Sequence, residues 1–357
     1  MPDQPSALHQ LAEKIDREGP ITLGEYMGIA NSDYYARKDP IGEDGDFVTA
    51  PEISQMFGEL IGIWLSDLYI RKGSPSQCHY VELGPGRGTL AADALRAMSR
   101  FDCQPDVHFV ETSPVLKAKQ KDLHPSASWH ESIENLPEEG PLLIIANEFF
   151  DALPIEQFIY TEAGWRQHMV ARERNKFIAV PGSKPVPDQL SSKTRFDVGT
   201  ILESSPASTQ IMGQLANRIA KQGGVLLIID YGYDEPGTGS TLQAVKGHMP
   251  ISPFDSPGTS DLTAHVNFLS LANTARNRML AIHGPAEQGI WLKAVGIDQR
   301  ADSLCKASPK EANNIRAAHH RLTHLDEMGR LFRVMAATAL DWPTPEGFIY
   351  GEESELA

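Results

Sequence analysis

One run constrains this chain more than any other feature: a short apolar strand that carries an acid, three glycines at alternate positions, then an Ala/Leu-rich helix. It reads Val81-Glu82-Leu83-Gly84-Pro85-Gly86-Arg87-Gly88-Thr89-Leu90. Glycine permits φ > 0 and lets a ligand approach backbone that a Cβ would block. The helix that follows presents N–H groups without intrahelical partners. This order describes a nucleotide or nucleoside pocket at a strand-to-helix turn.

Around that run the pattern alternates. Strands are expected at 79–83, 107–111, 142–146 and 224–230, with helices near 89–100, 114–122 and 207–222. Such alternation implies a parallel sheet with helical cover on both faces. Helical spacing also marks 8–18 and 22–29, whereas 31–48 loses that period and reads as an irregular loop. Thr49-Ala50-Pro51-Glu52 has the form of a capping box, leading into a helix through Ile53, Phe57, Leu60, Ile61 and Trp64, a stripe suited to a core. Alternation at Glu156-Gln157-Phe158-Ile159-Tyr160 and a Pro/Ser-rich stretch at 181–192 suggest antiparallel additions between 156 and 203. Glu203-Ser204-Ser205-Pro206 reads as a helix entry.

The passage from Tyr231 to Pro257 is polar, rich in Gly and Pro, and too long for an idle turn. Helical signals resume after Asp261 through about Ala281 and again from Pro309 to Glu327, and 331–336 reads as a closing strand. The expected architecture is a doubly wound, Rossmann-like α/β sheet with an N-terminal helical lead over 1–75. The sheet domain then occupies 76–357, with an inserted helical region at about 245–325.

With 357 residues the chain can bury a substantial core. A net charge of −15 argues against nucleic acid and favours a basic protein segment as partner. Cys78, Cys103 and Cys305 form no CxxC pair, so neither a disulfide framework nor a metal site is expected. No apolar stretch approaches the ~20 residues that span a bilayer. The first twenty residues lack an apolar h-region and carry too many acids for a transit peptide. A cytoplasmic location is expected for a bacterial chain, and the mitochondrial matrix for a eukaryotic chain whose targeting segment has been removed.

The glycine spacing narrows the ligand. A dinucleotide fingerprint is G-x-G-x-x-G, and a P-loop ends in Gly-Lys-Ser/Thr. Here the third glycine is Gly88, which gives G-x-G-x-G and weakens a nicotinamide oxidoreductase. Glu82, Gly84, Gly86 and Gly88 instead have the arrangement of class I S-adenosylmethionine methyltransferases. Glu111, 29 positions after Glu82 at the end of the next strand, can accept bonds from both ribose hydroxyls, with Thr112 beside it. Read alone, Glu111 is as well explained as a helix cap. Ala146-Asn147-Glu148-Phe149-Phe150-Asp151-Ala152-Leu153-Pro154 follows the apolar strand at 142–145, on the loop expected to face the reactive methyl. Asn147, Glu148 and Asp151 are the catalytic candidates, since an attacking guanidinium or amine must be oriented and lose a proton. Glu156 loosely suggests a paired glutamate, although a solvent-facing strand residue is the simpler reading.

Together with GDFVTAPEISQMFGEL at 45–60, these motifs resemble the MidA-type methyltransferase family, whose mitochondrial members are complex I assembly arginine methyltransferases. The resemblance continues through Glu111-Thr112-Ser113-Pro114, Ile229-Asp230-Tyr231-Gly232, Thr241-Leu242-Gln243-Ala244 and Asp261-Leu262-Thr263-Ala264-His265-Val266. It implies S-adenosylmethionine as cofactor and a protein arginine as acceptor, a respiratory complex I subunit among the candidates. It also implies that 45–60 covers the cofactor and that 231–266 borders the acceptor entrance. Ser32-Asp33-Tyr34-Tyr35 and Asn267 depart from the family pattern, which touches acceptor identity rather than cofactor use. A non-enzymatic assembly factor that uses the fold as a docking platform is the alternative. His319, His320 and His324 read as a solvated helix face. His265 reads equally as a local hydrogen bond or a substrate contact, and Tyr231 as cleft or packing.

Overall fold

The computed structural model describes residues 5–37, 39–42, 45–46, 48–186, 196–235 and 237–348. Its first elements are α1 (Ala7–Glu18), β1 (Ile21–Thr22), α2 (Leu23–Arg37), the single turn α3 (Ala50–Ile53) and α4 (Gln55–Arg71). The alternating stretch is β2 (His79–Leu83), α5 (Thr89–Met98), β3 (Asp106–Val110), α6 (Pro114–Leu123), β4 (Ser128–His130) and β5 (Leu142–Asn147). Strands β6 (Glu156–Thr161), β7 (Gly164–Glu173), β8 (Lys176–Pro185) and β9 (Ile201–Ser204) follow, then α7 (Pro206–Gln222) and β10 (Gly224–Tyr233). Four short strands come next: β11 (Gln243–Lys246), β12 (Met249–Ile251), β13 (Asp261–Thr263) and β14 (Val266–Asn267). The chain closes with α8 (Phe268–Arg276), β15 (Leu280–Glu287), α9 (Gln288–Ala294), α10 (Ile297–Ala307), α11 (Ala312–Thr323), α12 (Met328–Leu331) and β16 (Phe332–Ala339).

These elements form two compact units. One gathers Met1–Phe47, Phe150–Ile211 and Glu235–Asn267; the other gathers Val48–Phe149, Met212–Asp234 and Phe268–Ala357. The division therefore does not fall at residue 75, because three separated stretches build the first unit. The second unit carries the expected sheet, in the order β15-β16-β10-β5-β2-β3-β4. β2, β3, β4, β5 and β10 are parallel, and β16 runs antiparallel between β10 and β15. Every residue of β2 and β5 is buried, which is why neither strand shows a polar-out alternation. Helices α9 to α12 are inserted between β15 and β16.

The first unit contains an antiparallel sheet in which β7 pairs with β1, β6 and β8, and β6 with β9. A three-stranded sheet, β12-β11-β13, lies in the same unit. Its core packs Leu11 and Ile15 from α1 and Tyr26 and Met27 from α2 with Val170, Phe177 and Leu262. Leu11 and Ile15 are four residues apart and so share one helix face.

Several local expectations change. The loop expected at 31–48 is helical as far as Arg37. Its period is disguised because inward residues have polar ends that find partners. Asn31 Nδ2 donates to Leu262 O (2.8 Å) and Asn31 Oδ1 accepts the Leu262 N–H (3.1 Å), while the Tyr34 hydroxyl donates to Asp46 Oδ2 (2.6 Å). Lys38, Glu43, Asp44 and Phe47 lie outside the described residues, as does much of 181–192.

No capping box forms at Thr49, whose side chain makes no cap bond. Glu52 instead accepts the Thr89 hydroxyl (2.5 Å), and the helix restarts at Ser54, whose Oγ accepts the Met56 N–H (3.2 Å). The long passage after Tyr231 contains the β11–β12 pairing rather than open loop. Residues 280–287, partly read as a helix tail, form β15. Pro206 does open α7, and Ser205 Oγ accepts the Ser208 N–H (3.1 Å).

In the second unit, α4 meets α5 at a close approach that only glycine allows. A Cβ on Gly62 meets Ala94 O at 2.3 Å, and one on Gly58 meets Asp93 Cβ at 2.7 Å. Alanine is the better helix former by about 1 kcal/mol, so the clash and the propensity oppose each other. The contact atom at Gly62 is backbone and cannot turn aside. Gly62→Ala is expected to lose about 1–3 kcal/mol in chemical denaturation. A neutral or stabilising change would contradict this packing.

Candidate active site

The site begins where the strand order reverses, between β2 and β5. In open α/β sheets ligands bind beyond the carboxyl ends of the strands at such a point. Leu83 is in register with Ala146, so Gly84 leaves the sheet beside Asn147, the last residue of β5. Gly84, Gly86 and Gly88 have φ of 60°, 56° and 85°, in the left-handed region that favours glycine. Gly88 donates its N–H to Pro85 O (2.8 Å), which tightens the turn into α5. Even the space is limited: a Cβ on Gly84 lies 3.2 Å from Phe149 Cδ2.

Two acids flank the loop. Glu82, on β2, is 3% exposed and accepts the Tyr80 hydroxyl (2.8 Å). Burial pushes its carboxyl up to about 8, against the opposing pull of that bond. Glu111 follows β3 and is also buried. Its Oε1 accepts the Ser113 N–H (2.7 Å) and its Oε2 accepts Gln120 Nε2 (3.1 Å). Burial raises its pKa, opposed by the bonds from Ser113, Gln120 and the Thr112 amide. Thr112 itself is exposed and reaches Glu111 through its backbone. The cap of α6 is Ser113, whose Oγ accepts the Leu116 N–H (3.3 Å), so Glu111 does not serve as that cap.

At the end of β5, Asn147 is 9% exposed, and its Nδ2 donates to Glu148 Oε1 (3.2 Å) while its Oδ1 is buried with no partner. Glu148 has φ +50°, uncommon for a residue of this size, and outliers of this kind cluster at functional sites. Its N–H bonds Ile229 O (2.9 Å), and its Oε1 also accepts the Ala50 N–H (3.3 Å) from α3. These bonds over-determine the strained conformation. Asp151 belongs to the first unit, where it is buried, and its carbonyl accepts the Ala264 N–H (3.0 Å). Burial first, then the charges of Asp261 and Asp151, raises the Tyr35 phenol well above its usual range.

Three further residues of this region carry no role in the sequence reading, Asp230 being named there only within a motif. Asp230, fully buried within β10, accepts the Phe149 N–H on Oδ2 (3.2 Å) and the Tyr231 N–H on Oδ1 (2.9 Å). An acid directly after the run Val225–Ile229 was a readable signal. Gln120 and Tyr80 gave none, since their partners lie across the fold or within a strand read as apolar.

Elsewhere Glu156 is half-buried against Gly24, its Oε2 accepting Gln167 Nε2 (3.0 Å), rather than solvent-facing. Tyr231 packs on Phe332 with ring centroids 3.9 Å apart. The His265 N–H donates to Thr241 Oγ1 (2.9 Å). His319 pairs with Asp298 (2.6 Å), and His320 stacks on His324.

These residues fit an adenosyl cofactor with an amino-acid end. Gly84 and Gly86 keep backbone accessible at the switch point, Glu111 offers acceptors for ribose hydroxyls, and the orphaned Asn147 Oδ1 calls for a donor. A family model described as putative S-adenosyl-L-methionine-dependent methyltransferase matches residues 60–286. The chain is 35% identical to the mitochondrial protein arginine methyltransferase NDUFAF7 homolog of Drosophila melanogaster, covering 93% of this chain and 84% of that protein. It is 34% identical to the human mitochondrial protein arginine methyltransferase NDUFAF7, covering 92% and 82%. A Burkholderia thailandensis protein solved bound to S-adenosyl-homocysteine shares the fold with TM-score 0.81 and 22% identity, over 97% of this chain and 96% of that one. The chain belongs to the family of S-adenosyl-L-methionine-dependent methyltransferases that this model describes.

Proposed function

We propose that this protein transfers a methyl group from S-adenosylmethionine to an arginine side chain of a protein partner. The observation that carries the reading is Glu148, held at φ +50° beside Asn147 at the end of β5. When bound, the cofactor supplies an electrophilic methyl on a cationic sulfur. Gly84, Gly86 and Gly88 admit its amino-acid end to the backbone, Glu82 balances positive charge from within β2, and Glu111 with the Thr112 amide takes the ribose.

Glu148 orients the acceptor nitrogen and takes its proton, and Asn147 fixes the Glu148 carboxylate through its amide. Asp151, three residues on in the sequence, stays the second carboxylate candidate for catalysis. The arginine acceptor is supported by the names of relatives more than 30% identical to this chain. The net charge of −15 suits a basic segment. A respiratory complex I subunit is the partner we favour, met in the mitochondrial matrix or, for a bacterial chain, the cytoplasm.

Glu148→Gln keeps shape and removes the base. It should lower the rate of methyl transfer about a hundredfold or more while S-adenosylhomocysteine affinity by calorimetry stays within about threefold, a difference below ~1 kcal/mol. Undiminished transfer would remove Glu148 from this role. Loss of transfer without loss of partner assembly in cells would favour the docking-platform alternative.

Glu82 gives a pH prediction. The folded protein holds its proton up to about 8, where the unfolded chain has lost it. Stability of the free protein therefore declines as pH rises from the ordinary carboxylate range towards about 8. A cationic ligand favours the ionised form, so binding at neutral pH should release a proton. Affinity should rise with pH up to about 8 and then level. Calorimetry at pH 7 in buffers of different ionisation enthalpy measures this release, and Glu82→Gln should abolish it. Buffer-independent heats in the unsubstituted protein would contradict the assignment.

A further inference from the structure

Helix α6 carries a residue that joins the two halves of the candidate cofactor site. Gln120 is fully buried, and each polar group of its amide is used. Oε1 accepts the Trp129 indole N–H (2.9 Å), and Nε2 donates to Gly86 O (2.7 Å) and to Glu111 Oε2 (3.1 Å). An indole N–H can only donate, so Trp129 fixes which end of the amide faces it. Both N–H groups are thereby turned towards the glycine loop and the Glu111 carboxylate.

One helical turn on, His124 Nε2 lies 2.8 Å from Gly88 O. A carbonyl can only accept, so this nitrogen carries the hydrogen. The same face of α6 thus holds the carbonyls of the second and third glycines. In a trans peptide C=O and N–H point opposite ways. Drawing these carbonyls towards α6 therefore turns the N–H groups of Arg87 and Thr89 to the other side of the loop.

We propose that Gln120 is the positioning residue that couples the glycine loop to Glu111, so that the backbone cradle and the ribose carboxylate are set as one unit. The proposal rests on the ribose reading of Glu111 given above. Through one amide, a shift of the loop moves Glu111, and loss of the Glu111 charge releases a restraint on the Gly86 peptide. The other groups acting on the carboxylate are the Ser113 and Thr112 amides and the positive charge of Lys117, also on α6. A donor lost from Gln120 would therefore make the carboxylate harder to ionise.

The test is S-adenosylhomocysteine binding by calorimetry across pH, in the full chain, for Gln120→Met, Gln120→Glu, Glu111→Gln and the doubly substituted Gln120→Met/Glu111→Gln. Thermal unfolding of each free variant reports folding. Gln120→Met should weaken binding about tenfold or more and move the low-pH limb of affinity to higher pH. In the Glu111→Gln background the same change should cost much less. Gln120→Glu keeps the size of the side chain and its acceptor for Trp129. Relative to the unsubstituted chain at the same pH, its loss of affinity should be small at low pH, where its protonated carboxyl still donates, and large at high pH, where it faces Glu111 as a second anion. Equal losses in both backgrounds with an unmoved pH limb would reduce Gln120 to packing and overturn the coupling. If Glu111→Gln alone leaves affinity unchanged, the ribose reading fails, and the coupling proposal falls with it. If no variant and not even the unsubstituted chain binds, the cofactor reading itself is at fault.

Discussion

The parallel pairing of β2 with β5 is the constraint on which the rest depends. Leu83 opposite Ala146 sets where both strands run out, and the glycine loop, Asn147 and Glu148 are the next few residues of each. On one side the chain must turn through Gly84, Gly86 and Gly88 before α5 can begin. On the other it leaves the sheet through Asn147 and the strained Glu148. A slip of this pairing by one residue would shift Tyr80 and Glu82 together out of their buried places and part Gly84 from Phe149. Burial of every residue in both strands makes such a slip costly.

Around that pairing, neighbouring elements act as restraints rather than as additional chemistry. α3 is tied to the loop by Glu52 and Thr89, and to Glu148 by the Ala50 amide. β10 holds the other flank through Asp230, which takes the Phe149 and Tyr231 amides. α6 holds the glycine carbonyls with Gln120 and His124. The strained backbone at Glu148 is thus enclosed by bonds from α3, β5 and β10. This is the condition under which a left-handed Glu persists.

Much of this was legible in the sequence because it is local. Alternating β and α segments, the glycine spacing and the acids at strand ends are each written within about ten residues. What stayed hidden is non-local or disguised. α2 continues past Asn31 because that amide meets the Leu262 backbone more than 200 residues away, which no helical period reveals. Gln120 looks like one more polar residue among the lysines of α6, and only the fold brings Gly86, Glu111 and Trp129 to it. Glu52 fits a capping box by spacing, yet the loop 37 residues on offers a better partner in Thr89. The helices at 8–18 and 22–29 and the antiparallel additions between 156 and 203 were legible, but not their grouping into one compact unit, since its three stretches are separated by more than a hundred and by more than twenty residues.

The predicted product contains a particular bond, from the methyl carbon to a side-chain nitrogen of arginine in a protein. The most direct measurement incubates the full chain with methyl-labelled S-adenosylmethionine and the proteins it captures, then locates the label by mass spectrometry of peptides. Label on an arginine nitrogen of a captured protein, absent when Glu148→Gln is used, is the predicted result. Label only on a small molecule or on another side chain, with captured arginines unmodified, would contradict it.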